Sequence, residues 1–322
     1  MKLILGVIFQ RLALSVVTIF LVSIVIFSSV TLLPGDFAKS ILGQSATPET
    51  VAAFQRELGL DRPPVERYLE WIGRVAQGDL GDSFASGAGY SRSVAEVIGP
   101  RLGNTLFLAA ITAVIAVPLA LALGVAAALY RNSWFDRTVN ATSLSTISFP
   151  EFFVAYILML IFAVNLRLLP SLANVGPETP LDERLVKTLL PAMTLALVII
   201  AHMLRMTRAS IISLLASPYV EMARLKGVSR RRVILKHVLP NAWAPIVNII
   251  AFNLAYLIVG VVVVEAVFVY PGVGQLMVDS VQTRDIPVVQ GCALIFAATY
   301  IFLNLAADVI AIATNPRILH PR

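Results

Sequence analysis

The stretch RMTRASIISLLASPYVEMARLKGVSRRRVILKHVLPN, residues 205–241, lies between two apolar segments and decides how the rest of the chain is interpreted. It carries eight basic residues and a single acid, Glu221. In a multi-pass membrane protein, short loops rich in Lys and Arg stay in the cytoplasm. The stretch therefore predicts a cytoplasmic loop between two membrane-spanning helices.

The first half of this loop predicts a short helix with defined ends. Ser217 is a suitable N-cap residue, and Pro218 suits the first helical position. Tyr219–Lys226 then form two helical turns, with Glu221 near the positive end of the helix dipole. Gly227 follows, and glycine readily takes the left-handed conformation that ends a helix.

The second half of the loop predicts another short helix. Ser229 would cap it, and it would end before Pro240. Two short helices joined at a glycine form a compact knob at the membrane surface. We interpret this knob as a binding site for another protein.

The composition supports a polytopic membrane protein. The 322 residues are 58% hydrophobic and carry a net charge of +6, and the mean hydropathy is +0.83, far above that of a soluble domain. Basic residues without interleaved aromatics do not indicate nucleic acid. The single Cys292 permits no internal disulfide.

Hydropathy predicts an all-α protein with six membrane-spanning helices and both termini in the cytoplasm. The third span is interrupted at Phe149-Pro150-Glu151. One face of the second span repeats a small residue every four positions, a pattern of close helix packing; these residues are Ala116, Ala120, Gly124 and Ala128. The six predicted spans are Leu12–Leu33, Arg101–Leu129, Asn140–Leu166, Thr188–Leu204, Pro245–Val269 and Val288–Ile312.

The chain divides into three predicted parts. Residues 1–33 form the N-terminal tail and first span, residues 34–100 form a periplasmic lobe, and residues 101–322 form the core. Within the core, Pro271–Gly274 is interpreted as an outside turn. The lobe fits either a solvated loop that packs on its own helices or a docking surface or lid for whatever delivers a substrate.

Motifs for catalysis or nucleotide binding are not apparent. The sequence lacks G-x-x-x-x-G-K-[ST], G-x-S-x-G and H-E-x-x-H, so we predict no catalytic residue, no bound cofactor and no metal site. Ionisable residues inside the spans are Glu151, Glu265 and Asp308. Such groups are functional candidates because burying a charge in lipid is costly. Near water-accessible helix ends they also fit a packing role, and both interpretations stay open.

One motif in the basic loop resembles a known family. Glu221-x-Ala223-x-x-x-Gly227, nine residues, then His237-x-Leu239-Pro240 resembles the EAA loop of inner-membrane subunits of bacterial ABC importers, with Met222 in place of the first Ala of Glu-Ala-Ala. Further motifs resemble, in order along nearly the whole chain, the B-type permease of dipeptide, oligopeptide and nickel importers. They are Leu33-Pro34-Gly35-Asp36, Glu57-Leu58-Gly59-Leu60-Asp61, Gly78-Asp79-Leu80-Gly81, Asn104-Thr105, Ser148-Phe149-Pro150, Thr207-Arg208-Ala209-Ser210, Ala223-Arg224-x-Lys226-Gly227, Glu265-x-x-Phe268-x-x-Pro271-Gly272-x-Gly274, Arg284-Asp285-x-Pro287-x-x-Gln290 and Asn315-Pro316-Arg317.

The resemblance implies a type I ABC importer permease in the bacterial inner membrane. Its implied partners are a homologous second permease, two cytoplasmic ATPase domains that use ATP and Mg²⁺, a periplasmic substrate-binding protein and membrane lipid. We expect Gly227 to let the two short helices approach closely. The residues assigned to ATPase coupling are Tyr219, Glu221, Ala223, Arg224, Lys226, Gly227 and Arg230, and those assigned to the translocation pathway are Asn104, Glu151 and Glu265.

The resemblance implies that small peptides or peptide-like solutes are transported by alternating access. Relatives of this type also carry nickel, oligosaccharides and opine-like compounds, so the cargo stays open. Two other classes are considered: an ATP-independent channel or secondary carrier, and a non-transporting scaffold or receptor that recruits a partner through the basic knob.

Overall fold

The computed structural model describes residues 2–32, 46–57, 59–84 and 92–314. The motifs predicted at residues 33–36 and 315–317, and Leu58, lie outside these ranges. The described chain is helical, and its extended pairing is limited to an isolated antiparallel bridge between Asp82 and Ser93. This confirms the all-α fold class.

Twelve helices are named here in chain order within the described ranges. Two of them run directly into π-helical segments, Met159–Asn165 after α6 and Ile234–Val238 after α9. The helices are α1 (Lys2–Thr31), α2 (Pro48–Glu57), α3 (Pro64–Ala76), α4 (Val94–Leu129), α5 (Trp134–Ser148), α6 (Glu151–Leu158), α7 (Leu181–Leu215), α8 (Pro218–Leu225), α9 (Arg230–Val233), α10 (Leu239–Phe268), α11 (Val273–Thr283) and α12 (Ile286–Thr314).

The described residues contain five continuous segments that are long and apolar enough to cross a membrane. The pair formed by α5 and the segment Glu151–Asn165, whose axes differ by 106° at the break, gives a sixth candidate crossing if the two halves form one broken span and not a re-entrant loop. The predicted count of six spans and the predicted interruption at Pro150 agree with this arrangement. Proline cannot donate a backbone hydrogen bond and disfavours helical backbone in the residue before it, which explains the position of the break.

The turn predicted at Pro271–Gly274 is wrong from Val273 onward, because α11 begins there. Gly272 has extended backbone at the N-cap position, so this glycine precedes a helix and does not sit in a hairpin-like turn. The helix ends at Thr283, and Arg284 follows it in the left-handed conformation, with φ of 58°.

The described parts of Met1–Ser15, Phe107–Tyr270 and Thr299–Arg322 form one compact unit. Its core lies where α4, α7 and α10 meet, at Ala120, Met203 and Ile249. At Gly124 the helices approach so closely that an added Cβ would lie 2.8 Å from the Cβ of Thr207 and 2.9 Å from the carbonyl oxygen of Leu204. The small-residue face predicted for α4 is confirmed by this contact.

The described parts of Val16–Leu106 and Pro271–Ala298 form a second unit. In it, α3 packs through Tyr68 and Trp71 against Phe27 of α1, and the buried Leu294 joins the same cluster. Asp285 accepts hydrogen bonds from the Ser83 hydroxyl at 2.5 Å and from the backbone N–H of Phe84 at 3.1 Å. The described part of the predicted lobe thus packs on its own helices, and a docking or lid role stays a prediction.

Candidate functional site

Helix α8 is anchored on one face and exposed on the other. Val220 is fully buried and Ala223 is 9% exposed. Tyr219, Met222 and Leu225 expose 40%, 54% and 76% of their surface. Residues three apart share a helix face, so these three side chains form an exposed apolar strip, called here the α8 ridge. An apolar strip on a helix with a fixed base is suited to binding a partner groove.

Gly227 ends α8 with a pair of backbone hydrogen bonds. Its φ is +77°, its N–H donates to the carbonyl of Arg224 at 2.9 Å, and the N–H of Val228 donates to that of Ala223 at 3.1 Å. This pairing is the Schellman motif, in which a left-handed residue closes the helix. The predicted left-handed glycine is confirmed.

The steric reason predicted for Gly227 is wrong. A Cβ added to Gly227 would meet no atom within 4 Å in the described chain. The glycine is needed here because a residue with a Cβ pays a cost for positive φ. Close approach of two short helices plays no part.

Three charged side chains assigned to coupling are exposed: Glu221, Arg224 and Lys226. None of them forms a side-chain hydrogen bond or ion pair with another described residue. Arg230 differs, because its Nη2 donates to the carbonyl oxygen of Leu129, at the end of α4, at 2.5 Å. A guanidinium at a helix C-terminus satisfies a free carbonyl and interacts favourably with the helix dipole. The coupling role of all seven assigned residues stays a prediction.

Two local details of the loop differ from the sequence prediction. Ser217 occupies the N-cap position, yet its hydroxyl donates to the carbonyl of Leu214 at 2.5 Å and caps no N–H. The second helix does not end before Pro240 but continues from α9 through Ile234–Val238 into α10. Pro240 is the second residue of α10 and follows the π-helical segment directly, where the regular hydrogen-bond pattern of the α-helix is already interrupted.

A buried ion pair joins α5 to α7 close to the loop. Arg208 donates from Nε to Asp136 Oδ1 at 2.6 Å and from Nη2 to Oδ2 at 2.7 Å. Asp136 also accepts from the Asn132 N–H at 2.9 Å and from Asn140 Nδ2 at 2.7 Å. This fork geometry satisfies both oxygens of a carboxylate that is 3% exposed.

The sequence analysis did not predict this ion pair, although the position of Asp136 at the start of a helix was predictable. Ser133 caps α5 by accepting a hydrogen bond from the N–H of Asp136. Ser133-x-x-Asp136 has the spacing of a capping box and marks a helix start. The contact with Arg208 spans 72 positions, and no local pattern predicts it.

Glu151 lies beside a cavity of about 430 Å³ at the bend between α5 and α6. Its Oε1 accepts a hydrogen bond from the Tyr256 hydroxyl at 3.1 Å. His202 also lines the cavity, with its ring centroid 5.9 Å from that of Tyr256. The bend, α7 and α10 thus bring together three polar side chains that are far apart in sequence.

The other two predicted pathway residues lie elsewhere. Asn104, in the second unit, donates from Nδ2 to the carbonyl of Pro271 at 2.8 Å. Glu265, in the first unit, is fully buried, and its carbonyl accepts the N–H of Tyr270 at 2.8 Å. Burial raises the pKa of the Tyr270 hydroxyl, and a hydrogen bond with Thr188 opposes that rise. The Asn104 side chain therefore contributes to local structure, and the assignments of Asn104, Glu151 and Glu265 to the pathway stay predictions.

No group of three His, Cys, Asp or Glu side chains suited to a metal ion occurs in the described ranges. His202 lines the cavity, whereas the carbonyl of His237 accepts a hydrogen bond from Asn241 Nδ2 at 2.7 Å. His320 lies outside the described residues.

Two family models cover most of the sequence. Residues 120–320 match the family described as binding-protein-dependent transport system inner membrane component. Residues 4–109 match the N-terminal family of the membrane components of binding-protein-dependent transport systems.

Named relatives are similar over almost the whole chain. The glutathione transport system permease protein GsiC of Escherichia coli O6:H1 is 40% identical over 301 residues, which is 94% of either chain. The GsiC protein of Salmonella typhi has the same identity and coverage. Among solved structures, an inward-facing MetNI methionine ABC transporter chain matches with a TM-score of 0.55 and 17% identity, over 68% of this chain and 96% of that chain. This likeness shows the type I ABC importer permease fold.

Proposed function

This chain belongs to the family of inner-membrane components of binding-protein-dependent transport systems, and we propose that it forms part of the pathway of an ATP-driven importer for small peptides or peptide-like solutes. It is a permease subunit of an ABC importer in the inner membrane. The proposal adds the energy source, the coupling surface and the cargo class.

The α8 ridge is the observation that carries the coupling proposal. Its three apolar side chains are exposed in a segment whose other face packs in the core with Ile211 and Val233. A docking element must be stiff to transmit a rigid-body movement. The Schellman turn at Gly227 and the continuous helix from Arg230 to Phe268 support such stiffness. The ridge fits a cleft on a cytoplasmic ATPase subunit.

In the proposed cycle, ATP binding and hydrolysis by the partner ATPases supply the energy for transport. Two ATPase domains bind ATP and Mg²⁺ and close, which draws together the α8 segments of this chain and of a homologous second permease and opens the pathway outward. Hydrolysis and product release return the pathway to the inward state. The energy enters as the different affinity of nucleotide for the two conformations. In this proposal the chain contributes no catalytic residue and binds no cofactor itself.

The cargo is proposed to arrive on a periplasmic substrate-binding protein. That protein would contact the lobe within residues 34–100, while basic side chains of the loop would lie near anionic membrane lipid. Glutathione, a small peptide, is the first cargo to test because the 40% identical GsiC proteins carry it in their names. Nickel, oligosaccharide and opine-like cargoes are the alternatives.

The test measures ATPase binding and uptake with the complex reconstituted in proteoliposomes. Leu225→Asp introduces a charge at the 76% exposed end of the α8 ridge. We expect co-purification of the ATPase subunits and ATP-dependent uptake to fall at least ~10-fold, since a buried unpaired charge at an interface costs over 1.4 kcal/mol. The matched control is Val65→Asp on α3, also exposed at 69% but outside the basic loop, which should retain co-purification of the ATPase subunits.

Three results separate the function classes. Uptake by the permease without ATP would favour a channel or secondary carrier. Absence of cargo-stimulated hydrolysis in the assembled complex would favour a scaffold. Wild-type uptake and ATPase binding in Leu225→Asp would contradict the assignment of the ridge.

A further inference from the structure

The cavity at the bend between α5 and α6 combines a mostly apolar wall with three polar groups. Its volume is about 430 Å³, a size suited to part of a small solute. Phe149, Val259 and Val263 are among its apolar residues, and Glu151, His202 and Tyr256 bring the ionisable groups. All of these residues belong to the first unit.

The carboxylate of Glu151 keeps one oxygen available. Tyr256 donates to Oε1 at 3.1 Å, and Oε2 has no hydrogen-bond partner among the described residues. No described Lys or Arg forms an ion pair with Glu151. Asp136 is the contrasting acid in the same unit, because Arg208 occupies both of its oxygens.

Gly260 of α10 holds the space in front of this carboxylate open. A Cβ added there would lie 3.4 Å from both Oε1 and Oε2. Any larger side chain would therefore occupy the region from which a ligand reaches the carboxylate. The backbone of Gly260 does not have a positive φ, so its conformation does not require glycine. The lack of a side chain matters here because it leaves room in front of the carboxylate.

A carboxylate inside a membrane-spanning bundle is costly unless it meets an opposite charge. A primary ammonium has three N–H donors and no acceptor. Glu151 Oε2, the Tyr256 hydroxyl oxygen and an imidazole nitrogen of His202 are all capable of accepting them. An anionic or neutral group gains less from this set of acceptors.

We propose that this cavity is a subsite for the protonated primary amine of the cargo, with Glu151 as its counter-charge and Tyr256 as the residue that positions the carboxylate. The inference rests on the proposed function in one respect, that the cargo is peptide-like and carries a free amine. The proposal places the end of the peptide that carries the free amine next to Glu151.

The first experiment measures the charge preference of the cavity without any cargo. Val263→Cys, at a wall position that is 40% exposed, is treated in the membrane-embedded complex with cationic aminoethyl or anionic sulfonatoethyl methanethiosulfonate. Modification is measured on this chain alone, and the wild-type chain is the blank, because Cys292 is its single cysteine and is fully buried. Each rate is divided by the rate with a free thiol in solution.

We expect the corrected cation-to-anion rate ratio to exceed ~10, a factor that corresponds to about 1.4 kcal/mol of charge interaction. Adding Glu151→Gln, which keeps the shape, should bring the ratio close to one. A ratio unchanged by Glu151→Gln would overturn the proposal, and so would an introduced thiol that neither reagent reaches.

The second experiment compares uptake of glutathione and N-acetylglutathione by wild type and Glu151→Gln. Both complexes use the same binding protein, so a change in the ratio of the two uptakes belongs to the permease. We expect Glu151→Gln to lower uptake of the free-amine form at least ~10-fold relative to the acetylated form, and Tyr256→Phe to lower it less. Equal loss for both solutes would contradict an amine subsite.

Failure of the proposed function has a separate signature. If the wild-type complex imports neither solute with ATP, the assigned cargo is wrong, while the reagent ratio still decides whether Glu151 creates a cation-selective cavity.

Discussion

Polar residues and glycines have different roles in two regions of the molecule. One region is the buried packing of α4 and α5 on α7, and the other is the exposed helix α8 with the turn that follows it. Asp136 is 3% exposed and has four hydrogen-bond donors around it, and Gly124 lies against another helix. In α8 the charged side chains have no partner among the described residues, and Gly227 faces open space. The first region stabilises the fold, whereas the second presents groups that a partner can bind.

The largest expected effect is the loss of the buried ion pair. Asp136→Ala should lower the free energy of unfolding by about 3–5 kcal/mol, because it leaves the Arg208 guanidinium partly buried without its carboxylate. Thermal unfolding of the purified complex, followed by size-exclusion chromatography, measures the change. Glu70→Ala on α3 is the control, since its ion pair with Arg62 is exposed and lies outside the candidate spans, and such pairs contribute under about 1 kcal/mol.

Equal destabilisation by Asp136→Ala and Glu70→Ala would contradict the difference in stability between buried and exposed ion pairs. The double variant Asp136→Leu with Arg208→Met tests whether the loss in Asp136→Ala comes from the unpaired arginine. Replacing both ions with apolar residues should recover part of the lost stability.

A smaller loss is expected at the helix crossing. Gly124→Ala should lower the free energy of unfolding by about 1–3 kcal/mol, because its Cβ would overlap Thr207 and the Leu204 carbonyl. Gly103→Ala in the same helix is the matched control, since a Cβ there meets nothing within 4 Å in the described chain. Alanine at that position should leave stability unchanged or raise it by up to about 1 kcal/mol. A melting temperature for Gly124→Ala at or above that of Gly103→Ala would contradict the close crossing.

The smallest effect is expected at the turn after α8. Gly227→Ala should cost about 1 kcal/mol, the penalty of left-handed backbone for a residue with a Cβ. Gly227→Asn should cost less, because asparagine tolerates that conformation. Hydrogen exchange at the N–H of Val228 reports the turn directly. If alanine and asparagine behave alike, backbone conformation is not the reason for this glycine.

The sequence predicts those features that depend on local chemistry. Long apolar runs identify the spans, Pro150 marks the break, and Gly227 after a basic helix predicts its left-handed end. The helix α11 was missed because Gly272 and Gly274 have the composition of a turn, although a glycine also precedes many helices. The continuation through Pro240 was missed because a proline inside a continuous helix has the same appearance in the sequence as one that follows the end of a helix.

Contacts between distant residues could not be predicted from one sequence. Glu151 was identified as an acid in a span, yet its hydrogen bond to Tyr256 crosses 105 positions. The Asp136–Arg208 pair likewise depends on how α5 packs against α7. Asn104 was assigned to the pathway as a polar residue near the start of a span. In the structure its side chain instead donates a hydrogen bond to the backbone carbonyl of Pro271, a contact that the sequence did not predict.

The π-helical segment Ile234–Val238 has a consequence for evolution of the chain. A π turn contains about one residue more than an α turn, and each residue of an α-helix turns the chain by about 100°. Removing one residue there would restore a regular helix and rotate the residues that precede it by that angle about the axis of α10. The azimuth at which the α8 ridge projects around the axis of α10 therefore depends on the extra residue of this segment, and deletion of one residue there would change it.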